Sequence, residues 1–287
     1  MFNVLLCSLG LFLFFVGCAS VQSKPRVSVL DLAKYSYQHK DFKKARLFLD
    51  RALRKDPQNP VAIYYQAKSL IAEQLYSQAI QKLDKVIALD QNFRQAYLDK
   101  ALCLASLKDF KQAKQVLLTS LRLFPPDFKT YYNLGVISLL AKEFAYAQKQ
   151  FTLAISLQPN FGPAYLNRGI TYLQINDVEK ALQDFNQAMF FLTDDPQVYY
   201  NRAIAYEQSQ EWNLALADYT KAITLQPDFG FAYNNRGILY LKLHQIDLAC
   251  ADLKKACELG TCLKWQQVQT ERICLNDAPL RSVFGRN

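Results

Sequence analysis

Large apolar residues recur at spacings of three and four from residue 26 to about 262, with single small residues set between them, and the arrangement returns every 34 positions. Shifting the chain against itself by that step aligns Ala45, Ala79, Ala113, Ala147, Ala181, Ala215 and Ala249 without slippage. Three positions before each alanine stands a large apolar residue: Phe42, Tyr76, Phe110, Phe144, Val178, Trp212 or Ile246. Four positions after come Leu49, Leu83, Leu117, Phe151, Phe185, Tyr219 and Leu253. Such spacing lines one face of a helix. Twelve positions before each alanine lies a second small residue (Ala33, Ala67, Ala101, Gly135, Gly169, Ala203, Gly237), preceded four positions earlier in five repeats by tyrosine. Each unit therefore predicts two amphipathic helices whose axes approach closely at the small residues, because longer side chains there would hold them apart. Pro57, Pro125, Pro159 and Pro227 mark the ends of second helices, where a missing N–H costs little.

An aromatic, then Gly or Ala, then Ala, a large apolar residue, another Ala and Pro in a 34-residue unit resembles the tetratricopeptide repeat. The resemblance covers residues 26–262, with repeats starting near 26, 60, 94, 128, 162, 196 and 230, followed by a capping helix and tail over 263–287. It implies an all-α, right-handed superhelical solenoid of seven helix pairs, with the first helices lining a concave face and the ends closed by polar caps.

The same resemblance implies that positions 2, 5, 6, 9, 12 and 13 of each repeat face the groove. Position 6 reads Asp31, Tyr65, Asp99, Asn133, Asn167, Asn201 and Asn235. Four consecutive asparagines offer a donor and an acceptor each, the pair that grips the backbone of an extended peptide; the alternative is that they bridge neighbouring helices. Tyr132 and Tyr200 at position 5 and Val136, Ile170, Ile204 and Ile238 at position 9 complete a half-apolar, half-amide trough. Lys34 and Lys68 project into its first two repeats. Lys129 and Asn133 match only fragments of the carboxylate clamp of chaperone-binding family members, which argues against recognition of a C-terminal carboxylate. Arg168, Arg202 and Arg236 at position 7 accompany Asp184, Asp218 and Asp252 at position 23 in the last three repeats, a pattern expected of structural ion pairs.

Residues 1–17 carry an apolar run from Val4 to Val16, shorter than the ~20 residues of a membrane-spanning helix, and read as an export signal. Phe15-Val16-Gly17-Cys18 resembles the lipobox of bacterial lipoproteins, which implies lipidation of Cys18, a short tether over 18–25 and a place in the cell envelope, at the outer membrane facing the periplasm. Ala19 after the cysteine carries the outer-membrane part of that expectation. An uncleaved, cytoplasm-facing anchor is the competing arrangement.

Charge sharpens this picture. From Lys24 to Thr130 there are 20 Lys and Arg against 10 Asp and Glu, and from Tyr131 onward 14 against 15, so the net +9 sits in the half nearest the tether. That half suits anionic headgroups, at about 1 kcal/mol per basic residue near the surface, and export argues against nucleic acid. Cys250, Cys257, Cys262 and Cys274 cluster at the end, where export permits disulfides in any of three pairings; zinc is disfavoured because no C-x-x-C pair is present. Cys103 reads as a small core residue. The two histidines, His39 and His244, lie in the turns of the first and last repeats, and no phosphate loop, nucleophile elbow or metal motif occurs. The expected function is thus a non-enzymatic, cofactor-free scaffold that holds a partner protein or peptide at the membrane. A self-associating spacer with an empty groove, a homo-oligomer, is the alternative.

Overall fold

The structure is a computed structural model describing residues 28–274. Seven antiparallel helix pairs follow one another: α1 (Val29–Gln38) with α2 (Phe42–Lys55), α3 (Pro60–Ala72) with α4 (Tyr76–Leu89), α5 (Arg94–Ser106) with α6 (Phe110–Leu123), α7 (Phe128–Leu140) with α8 (Phe144–Leu157), α9 (Gly162–Gln174) with α10 (Val178–Phe191), α11 (Pro196–Gln208) with α12 (Trp212–Leu225), and α13 (Gly230–Lys242) with α14 (Ile246–Glu258). A short α15 (Leu263–Thr270) closes the array. Residues 1–17, read above as an export signal, and Cys18 lie outside the described residues, among which no helix is long and apolar enough to cross a membrane.

The small residues set the spacing of the layers. All seven in-register alanines are completely buried, as are Phe151, Phe185 and Tyr219 four positions on. In the fourth and fifth repeats, where that residue is Phe, the facing position is glycine: a Cβ on Gly135 would sit 2.5 Å from the Phe151 ring, and one on Gly169 2.6 Å from Phe185. First helices of successive repeats touch (α1 with α3, α5 with α7, α7 with α9, α9 with α11), and second helices make no comparable contact. Close first helices and splayed second helices curve the array, leaving an all-α solenoid whose first helices line the inner face.

Each pair turns in the same way. Lys40, Gln74, Lys108, Lys142, Asn176, Gln210 and His244, one per repeat, hold a left-handed φ between 58° and 64°. The following amide then reaches back into the first helix, as Asp109 does to the Leu104 carbonyl at 2.9 Å while Lys108 bonds to Ala105. Two otherwise unpaired carbonyls are satisfied this way, which offsets the roughly 1–2 kcal/mol cost of a left-handed residue other than glycine.

Junctions between repeats alternate between two chemistries. Asn59, Asp127 and Asp195 cap α3, α7 and α11 with their side chains, whereas Phe93, Phe161 and Phe229 precede α5, α9 and α13 without a side-chain cap. Each phenylalanine instead packs against a tyrosine of the repeat before it: Tyr64 with Phe93 at 4.8 Å between ring centroids, Tyr132 with Phe161 at 5.1 Å, and Tyr200 with Phe229 at 4.9 Å. The junctions therefore recur every 68 residues, two repeats, an alternation that comparison at a 34-residue step conceals.

At the C-terminal end Cys250 pairs with Cys274 and Cys257 with Cys262. The first pair ties the segment after α15 to α14, with Val268 fully buried against Leu253. Closing a loop of this size contributes about 3 kcal/mol by chain-entropy reasoning. Cys103 is free and buried, and burial pushes its thiol up to about 11.

Candidate peptide-binding groove

The asparagine row on the inner face divides in two. Asn167 donates through Nδ2 to the Tyr132 hydroxyl at 3.0 Å, and Asn235 to the Tyr200 hydroxyl at 3.1 Å, each bond joining adjacent repeats. Burial raises both tyrosines above the ordinary phenol value, so their hydroxyls stay protonated. Asn201 bonds only to the Gln197 carbonyl of its own helix, at 2.7 Å, and Asn133 makes no side-chain hydrogen bond within the described residues. The cause is the two-repeat alternation: the position that supplies Tyr132 and Tyr200 is Leu98 before Asn133 and Leu166 before Asn201. Two of the four amides thus bridge repeats, and two make no bond to a neighbouring repeat among the described residues.

Around them the apolar positions differ in reach. Ile170 and Ile204 pack partly into the core, while Leu102 and Ile238 at the same position of other repeats are 40% and 37% exposed. The basic residues placed on this face are mostly engaged. Lys68 lies 3.8 Å from Asp99, which also accepts from the Tyr64 hydroxyl at 2.7 Å, and Lys34 lies 3.9 Å from Asp31. Lys129 is exposed, 5.8 Å over the Phe128 ring.

The arginine series is structural. Arg168, Arg202 and Arg236 each grip Asp184, Asp218 and Asp252 through Nε and Nη2 at 2.7–2.9 Å, with the aspartates nearly buried. The remaining Nη1 of each donates to Thr152, Asn186 or Thr220 of the preceding repeat. In the first repeats the same register carries Gln66 on Asp50 and Lys100 on Asp84, so the acid has moved from the preceding repeat into the arginine's own.

One functional candidate escaped the sequence pattern. Position 12 is apolar or aromatic in every other repeat (Tyr37, Ile71, Ala105, Leu139, Leu173, Leu241) but Glu207 in the sixth, and position 24 is Leu or Phe elsewhere but Tyr219 there. The two bond to each other, the buried Tyr219 hydroxyl donating to the Glu207 carboxylate. Reading across repeats at these two positions would have found it.

A sequence profile described as tetratricopeptide repeat matches residues 196–229, and a second so described matches 151–183 and 218–251. The chain is a tetratricopeptide repeat protein. A profile of anaphase-promoting complex, cyclosome, subunit 3 also matches this tetratricopeptide repeat chain, over residues 38–120. No curated protein sequence matches it. Among solved structures, the anaphase-promoting complex hetero-tetramer Cut9–Hcn1 is similar with a TM-score of 0.72 and 17% identity, covering 88% of this chain and 49% of that one, so this chain spans about half its length. A tetratricopeptide repeat protein from Parabacteroides merdae gives 0.67 and 18%, covering 85% and 97%. PilW, a type IV pilus biogenesis factor, gives 0.65 and 16%, covering 71% and 96%. At these identities the likeness is one of fold.

Proposed function

We propose that this repeat protein is a membrane-tethered, non-catalytic scaffold that holds an extended segment of a partner protein along its inner face. The observation that carries the reading is the pair of amides not tied to a neighbouring repeat, Asn133 and Asn201, set on a face with exposed Leu102, Leu140 and Ile238. Polar groups able to donate and accept, spaced along an apolar trough, suit a peptide backbone and the side chains alternating from it. The lipobox-like segment ending at Cys18 supplies the tether in this reading, and the two disulfides at the C-terminal end support an oxidising compartment such as the periplasm.

Crosslinking and capture from native membranes test the groove. Leu102→Lys with Ile238→Lys, both exposed, is expected to leave the thermal midpoint within a few degrees and to lose the partners captured by the unaltered chain. Unchanged capture overturns the groove; recovery of the chain alone points to the self-associating spacer. The tether is tested separately, since Cys18→Ser is expected to move the protein from the membrane pellet to the soluble fraction and to abolish palmitate incorporation.

A further inference from the structure

The inner face holds a cavity of about 330 Å³ between α11 and α13, lined by Ile204, Glu207, Gln208, Tyr219, Asn235 and Ile238. We propose that this cavity takes a lysine or arginine side chain of the bound partner segment, its aliphatic stem between Ile204 and Ile238 and its charged head on the Glu207 carboxylate. The inference rests on the groove reading and names the chemistry of the ligand at one point along it.

Three observations converge on it. Glu207 is an acid introduced where the other repeats are apolar or aromatic, and it comes with its own positioning group, the Tyr219 hydroxyl, also specific to this repeat. No ion pair reaches Glu207 among the described residues. The cation nearest in charge effect, Lys242, has its ammonium 3.9 Å from the Trp212 ring centroid. Burial holds the Glu207 carboxyl above the usual carboxylate range, opposed by the Tyr219 hydrogen bond and by Lys242. A carboxylate short of water, with one oxygen held by a buried phenol and flanked by two isoleucines, is complementary to a side chain that is apolar along its length and cationic at its tip. The volume sits at the lower end of ligand-site cavities, about 300–1,000 Å³, and suits a single side chain.

The test is selection of random linear peptides from a displayed library on the full chain and on Glu207→Gln, which keeps an oxygen for Tyr219 and removes the charge. The unaltered chain is expected to enrich peptides with a fixed Lys or Arg, and Glu207→Gln to lose that enrichment. A selected peptide, synthesised, is expected to bind Glu207→Gln about tenfold more weakly, a loss of about 1.4 kcal/mol. Replacing its basic residue with norleucine gives the same loss on the unaltered chain and no further loss on Glu207→Gln. That comparison reads direct pairing, and its peptide arm stands even if the variant fails to fold. Selected peptides with no basic position, or a norleucine peptide that binds the unaltered chain equally well, overturn the cation pocket and leave the groove intact. Absence of any selected peptide overturns both.

Discussion

Gly169→Ala and Phe185→Ala are each expected to destabilise the fifth repeat, the first by about 1–2 kcal/mol and the second by about 3–5 kcal/mol in urea unfolding followed by circular dichroism. The alanine methyl would fall 2.6 Å from the Phe185 ring, a close contact that outweighs the roughly 1 kcal/mol by which alanine is favoured over glycine inside a helix. Removing the fully buried ring instead leaves a cavity under the same glycine. The informative variant combines Gly169→Ala with Phe185→Leu, which is expected to return to within about 1 kcal/mol of the starting chain because contacting residues couple by about 0.5–3 kcal/mol. Repeats one to three already use that combination, packing Ala33 with Leu49, Ala67 with Leu83, and Ala101 with Leu117. If the double variant shows the sum of the separate losses, ring and glycine are not exchanging volume.

Asp218→Ala should cost about 3–5 kcal/mol, since it strands the Arg202 guanidinium with only Asn186 as a partner. Arg202→Leu with Asp218→Leu should recover most of that loss, because replacing a buried pair by packed apolar residues is often neutral or stabilising. The guanidinium also spans two repeats, so the double variant is expected to broaden the unfolding transition even where the midpoint is restored. Equal effects of Asp218→Ala and the double variant in the same urea titration would show that the pair adds nothing beyond the volume of its side chains.

The fold was legible because its determinants are steric and strictly periodic. Ala45 through Ala249 mark where second helices meet the core, and small residues from Ala33 to Gly237 mark where the first helices approach them. The arginine–aspartate pairing was legible too, since two positions change together between the fourth repeat and the fifth. The groove was less so. Whether an asparagine bridges or stays free depends on the residue 35 positions earlier, Tyr132 for Asn167 and Leu98 for Asn133, a relation that spans the junction between repeats. Lys68 looked available from its register alone, but its ammonium lies near an aspartate on the next first helix. Glu207 and Tyr219 were hidden because a search for what repeats passes over what does not.

The alternation of capped and aromatic junctions bears on how such an array changes length. Excising residues 128–195 would join Asp127 directly to Pro196, and a carboxylate cap would again precede a first helix, with every Tyr–Phe partnership elsewhere retained. Excising 128–161 alone would place Asp127 before Gly162 and take away both Phe161 and the tyrosine that it packs against, leaving Asn167 with a leucine across the seam. Insertions and deletions compatible with this chain are therefore quantised in helix quartets, and the groove lengthens or shortens by whole compartments; the one spanning 128–195 carries one amide that bridges repeats, Asn167, and one that does not, Asn133.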